Sequence, residues 1–178
     1  RARRRGLRAQ TLFRSGGTDF FPGDRLFSGA VCHWVSASRY NARQIEARYR
    51  RAVEVIHNGV DTQSFRPQRR DAELRARLGA RPGDLLMVSV GRLVGWKGTR
   101  VAIEALVKLP VHIRYVVVGD GPERMGLQSL AGELGVAQRV HFAGAMGHHA
   151  LPQLLSNCDI CLQPSVGEEA FGISVVEA

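Results

Sequence analysis

The sequence predicts an α/β protein built on a parallel, doubly wound β-sheet. Three observations support this fold class. From residue 85 onward, short apolar runs typical of buried strands alternate with helical segments in the order βαβαβαβα. Glycine-containing loops follow the strands of this series, where the backbone must turn or approach another loop. A hydrophobic content of 44% over 178 residues is enough to form a core.

The first part of the chain is less regular, but it contains clear helix and turn signals. Ser38 is a typical helix N-cap, and Ile45 and Tyr49, four residues apart, share one face of the helix that follows. Asn58 and Gly59 together indicate a tight turn. The predicted elements are a strand at 11–13, turns at 16–19 and 21–24, a strand at 31–36, a helix from about 40 to 50 and a strand at 53–56.

The second part of the chain carries the regular series. The run Ile113–Val118, apolar except for Arg114, predicts a strand that is buried on both faces. In the helix before it, Val101, Ala105 and Leu106 are expected to form the apolar stripe. The predicted strands lie at 85–90, 113–118, 139–142 and 159–163, and the helices at about 98–108, 122–134 and 149–156, with a last helix that carries Glu177.

A change in composition marks a domain boundary near residues 62–83. This stretch is polar and includes a short helix, which Asp71 caps and Gly79 ends. We expect residues 1–61 to be the end of one domain, 62–83 a linker with the short helix, and 84–178 a second domain. The chain lacks an initiator Met and its last helix is unfinished, so we interpret it as an internal fragment of a longer protein.

Basic residues are concentrated in the first half of the chain. Residues 1–81 contain 18 Lys and Arg and 7 Asp and Glu, a net charge of +11, whereas residues 82–178 contain 7 and 9, a net charge of −2. The excess either reflects an arginine-rich proteome or faces an anionic membrane or nucleic acid. No apolar run approaches the roughly 18 residues of a membrane span, and no signal peptide is visible.

The three cysteines do not suggest a disulfide framework. Cys32 is alone, and Cys158 and Cys161 lie three positions apart in a strand-like run, where their side chains would point to opposite faces. A shared metal or redox site is therefore not expected. A reducing compartment fits this pattern best, so we expect a cytoplasmic location, with peripheral contact at the inner face of the membrane as the alternative.

The loops at the carboxyl ends of the predicted strands carry the charged residues of interest, because ligands of open α/β sheets bind there. The loop after the strand at 85–90 contains Arg92 and Lys97 and then opens a helix. A guanidinium, an ammonium and helix amides together suit a diphosphate, although solvated loop charges are the alternative interpretation. Glu169 and Glu177 follow the last strand, and two such carboxylates can bind the hydroxyl groups of a sugar or a ribose.

Several short segments, taken in order, resemble one enzyme family. They are Gly91-Arg92-Leu93, Lys97-Gly98, Val118-Gly119-Asp120-Gly121-Pro122, Val140-His141-Phe142-Ala143-Gly144, Pro164-Ser165, Glu169-Ala170-Phe171-Gly172 and Glu177-Ala178. Together they are similar to glycosyltransferase family 4, a family of retaining enzymes with the GT-B fold and nucleotide-sugar donors. The resemblance covers about residues 31–178. It implies a partial N-terminal Rossmann-like domain followed by most of the donor-binding domain.

The resemblance also implies roles for the motif residues. Three residues would be catalytic. Glu169 would contact the donor sugar, and Arg92 and Lys97 would hold the diphosphate, where negative charge builds. Glu177 would hydrogen-bond the ribose of the nucleotide. The other donor-binding residues would act through their backbone. Gly91 and Gly121 would allow a close approach to the donor, Ala145 and Met146 would meet the edge of the base, and Phe171 and Gly172 would meet the sugar or the phosphate.

The implied reaction transfers a sugar from a nucleotide-diphosphate sugar to an unidentified glycan, lipid or small-molecule acceptor, with retention of the anomeric configuration. No metal or other cofactor is expected, since the two cations take the place of a metal at the leaving phosphate. The fragment alone is expected to be inactive, because the acceptor side is mostly missing. The alternatives are a non-catalytic nucleotide or nucleotide-sugar binding module and a basic membrane-surface or nucleic-acid-binding protein, although nucleic acid is not the expected partner.

Four neighbouring residues are expected to have structural roles. Glu168, beside the motif carboxylate, is predicted to face solvent. Trp96 is predicted to pack or to act as a lid. His148 and His149 stand at the start of a predicted helix, where surface capping is the simplest interpretation.

Overall fold

The computed structural model describes residues 10–15 and 23–178 of the chain. The predicted turn at 16–19 and the first half of the turn at 21–24 lie outside the described residues. The chain forms two compact units, one comprising the residues up to Gly59 together with Glu168–Phe171, and the other Val60–Gly167 together with Gly172–Ala178. The division into 1–61, 62–83 and 84–178 stays a prediction.

The first unit contains a parallel three-stranded sheet in the order β1-β2-β3. The prediction for its helix start is confirmed, since the Ser38 hydroxyl accepts a hydrogen bond from the Asn41 amide at 3.0 Å and Ile45 is fully buried. The four-residue helix α1 was not predicted. The elements are β1 (Leu12–Ser15), α1 (Asp24–Phe27), a 3-10 turn (Ser28–Ala30), β2 (His33–Ser36), α2 (Arg39–Tyr49) and β3 (Glu54–Val55).

The second unit contains the predicted alternation of strands and helices around a parallel sheet in the order β6-β5-β4-β7. The predicted strands at 85–90 and 113–118 match the structure residue for residue. Its elements are α3 (Ala72–Arg77), β4 (Leu85–Val90), α4 (Thr99–Leu106), β5 (Ile113–Val118), α5 (Arg124–Glu133), β6 (Val140–Gly144), α6 (Leu151–Ser156), β7 (Ile160–Cys161) and α7 (Ile173–Glu177), with 3-10 turns at Gly95–Lys97, Ala137–Arg139 and His148–Ala150.

Strand β5 separates two apolar clusters and is buried along its whole length, as predicted. Tyr115 and Val117 point into one cluster and Val116 and Val118 into the other, because successive side chains of a strand face opposite sides of the sheet. Helices α4 and α5 cover the first cluster, and α3 and α6 contribute to the second. The sheet is therefore covered on both faces, which confirms the doubly wound arrangement.

The apolar stripe expected on α4 was right for Leu106 and wrong for Val101 and Ala105. Val101 and Ala105 are exposed, whereas Thr99, Ala102 and Ile103 are buried together with Leu106. The buried positions follow the spacing of one helix face, i, i+3, i+4 and i+7. A polar residue, Thr99, belongs to this face because its hydroxyl bonds the buried Tyr115, so apolarity alone gave the wrong stripe.

A half-buried carboxylate joins α3 to the amino-terminal edge of the sheet. Asp159 accepts hydrogen bonds from the Leu86 amide at 2.8 Å and from Arg75 at 3.1 Å, and it forms an ion pair with Arg70 at 2.7 Å. Burial alone would raise the pKa of Asp159, but the Leu86 amide and the two guanidinium groups hold it below the ordinary value of an aspartate. This network fixes the short helix on the sheet.

Cys158 and Cys161 are not joined by a disulfide bond, but the reason given for separating their side chains was wrong. Strand β7 covers only Ile160–Cys161, and Cys158 precedes it with its amide bonded to the Leu155 carbonyl at 3.0 Å. Both side chains therefore pack against the same apolar cluster instead of pointing to opposite faces. Burial raises the pKa of Cys158 to about 12, which keeps the thiol protonated.

Within residues 10–15 and 23–178, every helix is too short or too polar to cross a membrane.

Candidate functional site

The loops after β4, β5 and β6 lie at one edge of the second unit's sheet, because all of its strands are parallel. Backbone hydrogen bonds join them: the Gly91 amide donates to the Val118 carbonyl at 2.9 Å, and the Leu93 amide to the Asp120 carbonyl at 2.9 Å. The Gly119 amide in turn donates to the Gly144 carbonyl at 2.8 Å. The edge that was predicted to bind a ligand is therefore a connected surface of backbone.

Gly121, a predicted donor-binding residue, has a packing role in this surface. A Cβ atom at this position would lie 2.8 Å from the backbone nitrogen of Leu93 and closer still to its carbonyl oxygen. Since backbone atoms of a neighbouring loop cannot move aside cheaply, only glycine fits here. The loops after β4 and β5 can thus approach as closely as they do only with this residue.

Arg92 and Lys97 line one cleft between β4 and β7, together with Gly91, Ser89, Thr99 and Gln163. Arg92 is exposed and Lys97 is half-buried. The floor is polar and buried, with Ser89 Oγ 2.6 Å from the hydroxyl of Tyr115. The structure therefore brings the two predicted phosphate-binding cations to the same small cleft, next to the first turn of α4.

Trp96 connects this cationic loop to the loop after β7. The Lys97 ammonium lies 4.6 Å from the centre of the Trp96 ring, within the range of a cation–π interaction. The Trp96 carbonyl accepts hydrogen bonds from the amides of Val166 at 2.9 Å and Gly167 at 3.1 Å. Trp96 is 45% exposed, so the packing or lid role expected for it stays a prediction.

The segment that carries Glu169 belongs to the first unit. Its Phe171 ring lies 6.0 Å from the ring of His57, whose Nδ1 is 2.9 Å from the Ala37 carbonyl oxygen. Glu168 is exposed, as predicted, and Glu169 is half-buried and has a bonding partner. Gly172 follows the segment and is the residue that precedes α7.

Glu177 lies on α7 with its side chain only 7% exposed. Its Oε1 is 2.8 Å from Nε2 of His148, whose side chain is 69% exposed. The capping role expected for His148 was therefore wrong, since its polar contact is with Glu177. His149 instead folds back over Gly147, where an added Cβ would lie 2.6 Å from the His149 ring.

Ala145 and Met146, the predicted contacts for the base, lie exposed in the loop between β6 and His148. Arg124 approaches this loop, with Nη1 3.6 Å from the position that a Cβ of Gly144 would occupy. The Arg124 guanidinium also donates to Asp120 at 2.9 Å.

Sequence reasoning did not single out His148 as a partner of Glu177, and no local signal could have done so, since 29 positions separate the two.

The fold and the site define the class of protein as a doubly wound α/β protein with a cationic loop and a buried carboxylate beyond its strand ends. The particular family follows from comparison: the chain belongs to the glycosyl transferases group 1, whose model matches residues 70–178. The predicted membership among glycosyltransferases of the GT-B fold is thereby confirmed, and so is the α/β fold with parallel sheets.

Curated relatives include D-inositol 3-phosphate glycosyltransferases of mycobacteria. The protein of Mycobacterium ulcerans is 37% identical over 132 residues, covering 71% of this chain and 28% of the relative. That of Mycobacterium tuberculosis strain H37Ra is 38% identical, over 71% of this chain and 27% of the relative. The chain thus spans little more than a quarter of the length of these proteins.

Solved structures of similar fold include Anabaena Alr3699/HepE in complex with UDP and glucose, with a TM-score of 0.86 and 25% identity over 96% of this chain and 50% of the other. The same protein has been solved with UDP-glucose, with a TM-score of 0.85. Sucrose-phosphate synthase of Thermosynechococcus elongatus matches with a TM-score of 0.80 and 20% identity over 99% of this chain and 49% of the other, a likeness of fold.

Proposed function

We propose that the chain is the donor-binding part of a glycosyltransferase that transfers a sugar from a nucleotide-diphosphate sugar to an acceptor with retention of the anomeric configuration. One observation carries the proposal. Arg92 and Lys97 line a single cleft at the carboxyl edge of a parallel sheet, in a chain that belongs to a glycosyltransferase family. Two cations beside the first turn of a helix are well suited to a diphosphate leaving group.

The proposed reaction passes through an oxocarbenium-like state in which negative charge develops on the departing diphosphate. Arg92 and Lys97 act on that charge, and they serve in place of a metal ion, so transfer should persist in the presence of a chelator. Glu177 accepts hydrogen bonds from the ribose. Glu169 contacts the donor sugar, and the backbone amides of Phe171 and Gly172 meet the sugar or the phosphate.

The remaining contacts concern the base and the approach of the nucleotide. Ala145 and Met146 present backbone groups to the base edge, and Gly91 and Gly121 contact the nucleotide through their backbone. A uridine nucleotide is the donor to test first, since the Anabaena protein of similar fold was solved in complex with UDP and with UDP-glucose.

The phosphate assignment is tested by comparing UDP with uridine in the full-length protein. Arg92→Ala and Lys97→Ala should each weaken UDP binding roughly 10- to 100-fold, because each removes charge-assisted hydrogen bonds to the phosphates. Uridine binding should change little. Arg100→Ala is the matched control, since Arg100 is an exposed arginine on the adjacent helix α4, paired with Glu104 at 3.7 Å. Calorimetric titration measures all of these affinities, and equal losses for UDP and uridine would contradict the assignment.

The catalytic assignment is tested by separating transfer from binding. Glu169→Ala should abolish sugar transfer from UDP-glucose while leaving the affinity for UDP unchanged, and Glu168→Ala, at the exposed neighbour, should leave both unchanged. Unaltered transfer in Glu169→Ala would refute the role of this residue. A full-length protein that binds nucleotide sugars but never consumes any of them would be a binding module instead of an enzyme.

A further inference from the structure

We infer that His148 positions the Glu177 carboxylate for the ribose, and that this pair makes the site selective for nucleotides that carry both ribose hydroxyl groups. The inference rests on the proposed function, in which Glu177 binds the ribose. It adds a second residue, which acts through the first and does not itself belong to the motifs that the family resemblance identified.

The direct evidence is a hydrogen bond between an exposed imidazole and a buried carboxylate. His148 Nε2 lies 2.8 Å from Glu177 Oε1, and a carboxylate oxygen can only accept, so the imidazole nitrogen is the donor. The Glu177 side chain is 7% exposed and that of His148 is 69% exposed. The bond therefore reaches from the surface to a carboxylate that is almost wholly removed from solvent.

The imidazole is itself held in place from the other side. The ring of Phe65 lies 5.1 Å from the His148 ring, and Phe65 packs against the second apolar cluster of the sheet. The Phe65 amide donates to the Asp61 carbonyl at 2.8 Å. The Ser64 hydroxyl, the Gln63 amide and, more weakly, His148 lower the pKa of the Asp61 carboxyl. A charged carboxylate thus stands near the imidazole in addition to Glu177.

Helix α7, which carries Glu177, is also anchored by hydrogen bonds to the loop after β7. The buried Ser174 hydroxyl donates to Gln163 Oε1 at 2.9 Å, and the Gln163 amide donates to Ser165 Oγ at 3.1 Å. These bonds join α7 to the loop after β7. The backbone position of Glu177 is set by this anchor, and the orientation of its carboxylate by His148.

The position of His148 in the chain links the proposed base contacts to the proposed ribose contact. His148 follows Met146 by two residues, so the loop proposed to contact the base also carries the partner of the proposed ribose carboxylate. A carboxylate offers about four acceptor positions on its two oxygens. A single bond from His148 therefore fixes the orientation of Glu177 and leaves acceptor capacity for both hydroxyl groups of the ribose.

The test compares UDP with 2′,3′-dideoxy-UDP by calorimetric titration of the full-length protein. The unmodified protein should prefer UDP. His148→Ala should reduce that preference roughly tenfold, since the carboxylate loses a charge-assisted hydrogen bond that orients it, whereas affinity for the dideoxy compound should hardly change. His148→Gln, whose amide can donate, should restore part of the preference.

Two control variants separate this role from simple packing. His148→Phe keeps an aromatic ring against Phe65 but cannot donate, so it should behave as His148→Ala does. His149→Ala removes the adjacent histidine, which folds over Gly147, and should leave the preference unchanged. A His148→Phe variant with full preference for UDP would overturn the inference, as would equal losses for both nucleotides in His148→Ala.

Glu177→Ala distinguishes failure of the inference from failure of the proposed function. If this variant loses the preference for UDP while His148→Ala keeps it, Glu177 binds the ribose without help and only the inference is overturned. If Glu177→Ala keeps the preference, the ribose role proposed for Glu177 is refuted together with the inference. Absence of UDP binding in the unmodified protein would overturn the proposed donor itself.

Discussion

Replacing Gly98 by alanine places a methyl group where the loop after β4 meets the loop after β7. Gly98 has a φ of 69°, and an added Cβ would lie 1.9 Å from the carbonyl oxygen of Pro164. Gly135 offers a matched control, since its φ is 68° and an added Cβ would have nothing within 4 Å. The two substitutions share the backbone strain and differ only in the collision.

The expected loss in the free energy of unfolding follows from the backbone strain and from the collision with Pro164. The left-handed backbone disfavours alanine by about 1–2 kcal/mol at either position. At Gly98, ordinary contact begins at 3.4 Å, so the Pro164 carbonyl must move by about 1.5 Å. That movement is expected to break the hydrogen bonds from the Val166 and Gly167 amides to the Trp96 carbonyl, each worth about 1 kcal/mol. We expect Gly98→Ala to lower the free energy of unfolding by about 3–4 kcal/mol and Gly135→Ala by about 1–2 kcal/mol.

The functional effect should be larger than the loss of stability suggests. Lys97 directly precedes Gly98, and a displacement of about 1 Å at a catalytic group can reduce turnover roughly 100-fold. Sugar transfer from UDP-glucose, measured well below the unfolding temperature of both variants, should fall by about this factor in Gly98→Ala and stay near the unmodified rate in Gly135→Ala. Equal stability and equal turnover of the two variants would show that the close approach of Gly98 to Pro164 does not control the position of Lys97.

Two further predictions concern Asp159 and Tyr115, two polar residues of the second unit. Asp159→Ala should lower the free energy of unfolding by about 2–3 kcal/mol in urea titrations, because it removes a partner of the half-buried Arg75. Glu73→Ala, which removes the exposed pair with Arg77, should cost about 0.5 kcal/mol or less. Equal costs for the two variants would contradict the role of Asp159. Burial raises the pKa of Tyr115 to about 12, above the value of about 10 for an unfolded chain, so its neutral form stabilises the fold fully below pH 10 and this stabilisation disappears as the pH rises towards 12. In urea titrations over this pH range, Tyr115→Phe should lose that part of the pH dependence, and an unchanged slope would exclude Tyr115 as its source.

The central strands could be predicted from the sequence because burial on both faces leaves a mostly apolar run, interrupted only by Arg114 in β5 and Ser89 in β4. Ile113–Val118 and Leu85–Val90 were both predicted residue for residue. The last strand was predicted at 159–163, whereas β7 covers two residues. The Asp159 and Leu162 amides still bond to the β4 carbonyls at 2.8 and 2.7 Å, so the extended segment continues beyond the regular ladder. The error therefore concerns the length of the strand and not its place in the sheet.

The wrong stripe on α4 arose because tertiary partners decide which face of a helix is buried. Val101 was assigned to the core of α4 for its apolar side chain, and Thr99 was overlooked for its hydroxyl. The hydroxyl has a buried partner in Tyr115, and a satisfied polar group can be buried at little cost. Helix α1 spans only four residues, too few to show a helical period, so no pattern could have indicated it.

Some contacts of the candidate site could be predicted from neighbouring residues of the sequence, and others depend on residues far apart in the chain. Arg92 and Lys97 stand in one loop, and the parallel topology converts chain order into nearness, because every strand of such a sheet ends at the same edge. Their shared cleft could therefore be predicted without coordinates. The bond between His148 and Glu177 depends instead on how α6, β7 and α7 return the chain over 29 positions. Motif residues thus indicate which groups meet the ligand, and only the packed structure indicates which group orients them, so the next determinants of donor choice should be sought among the partners of motif side chains.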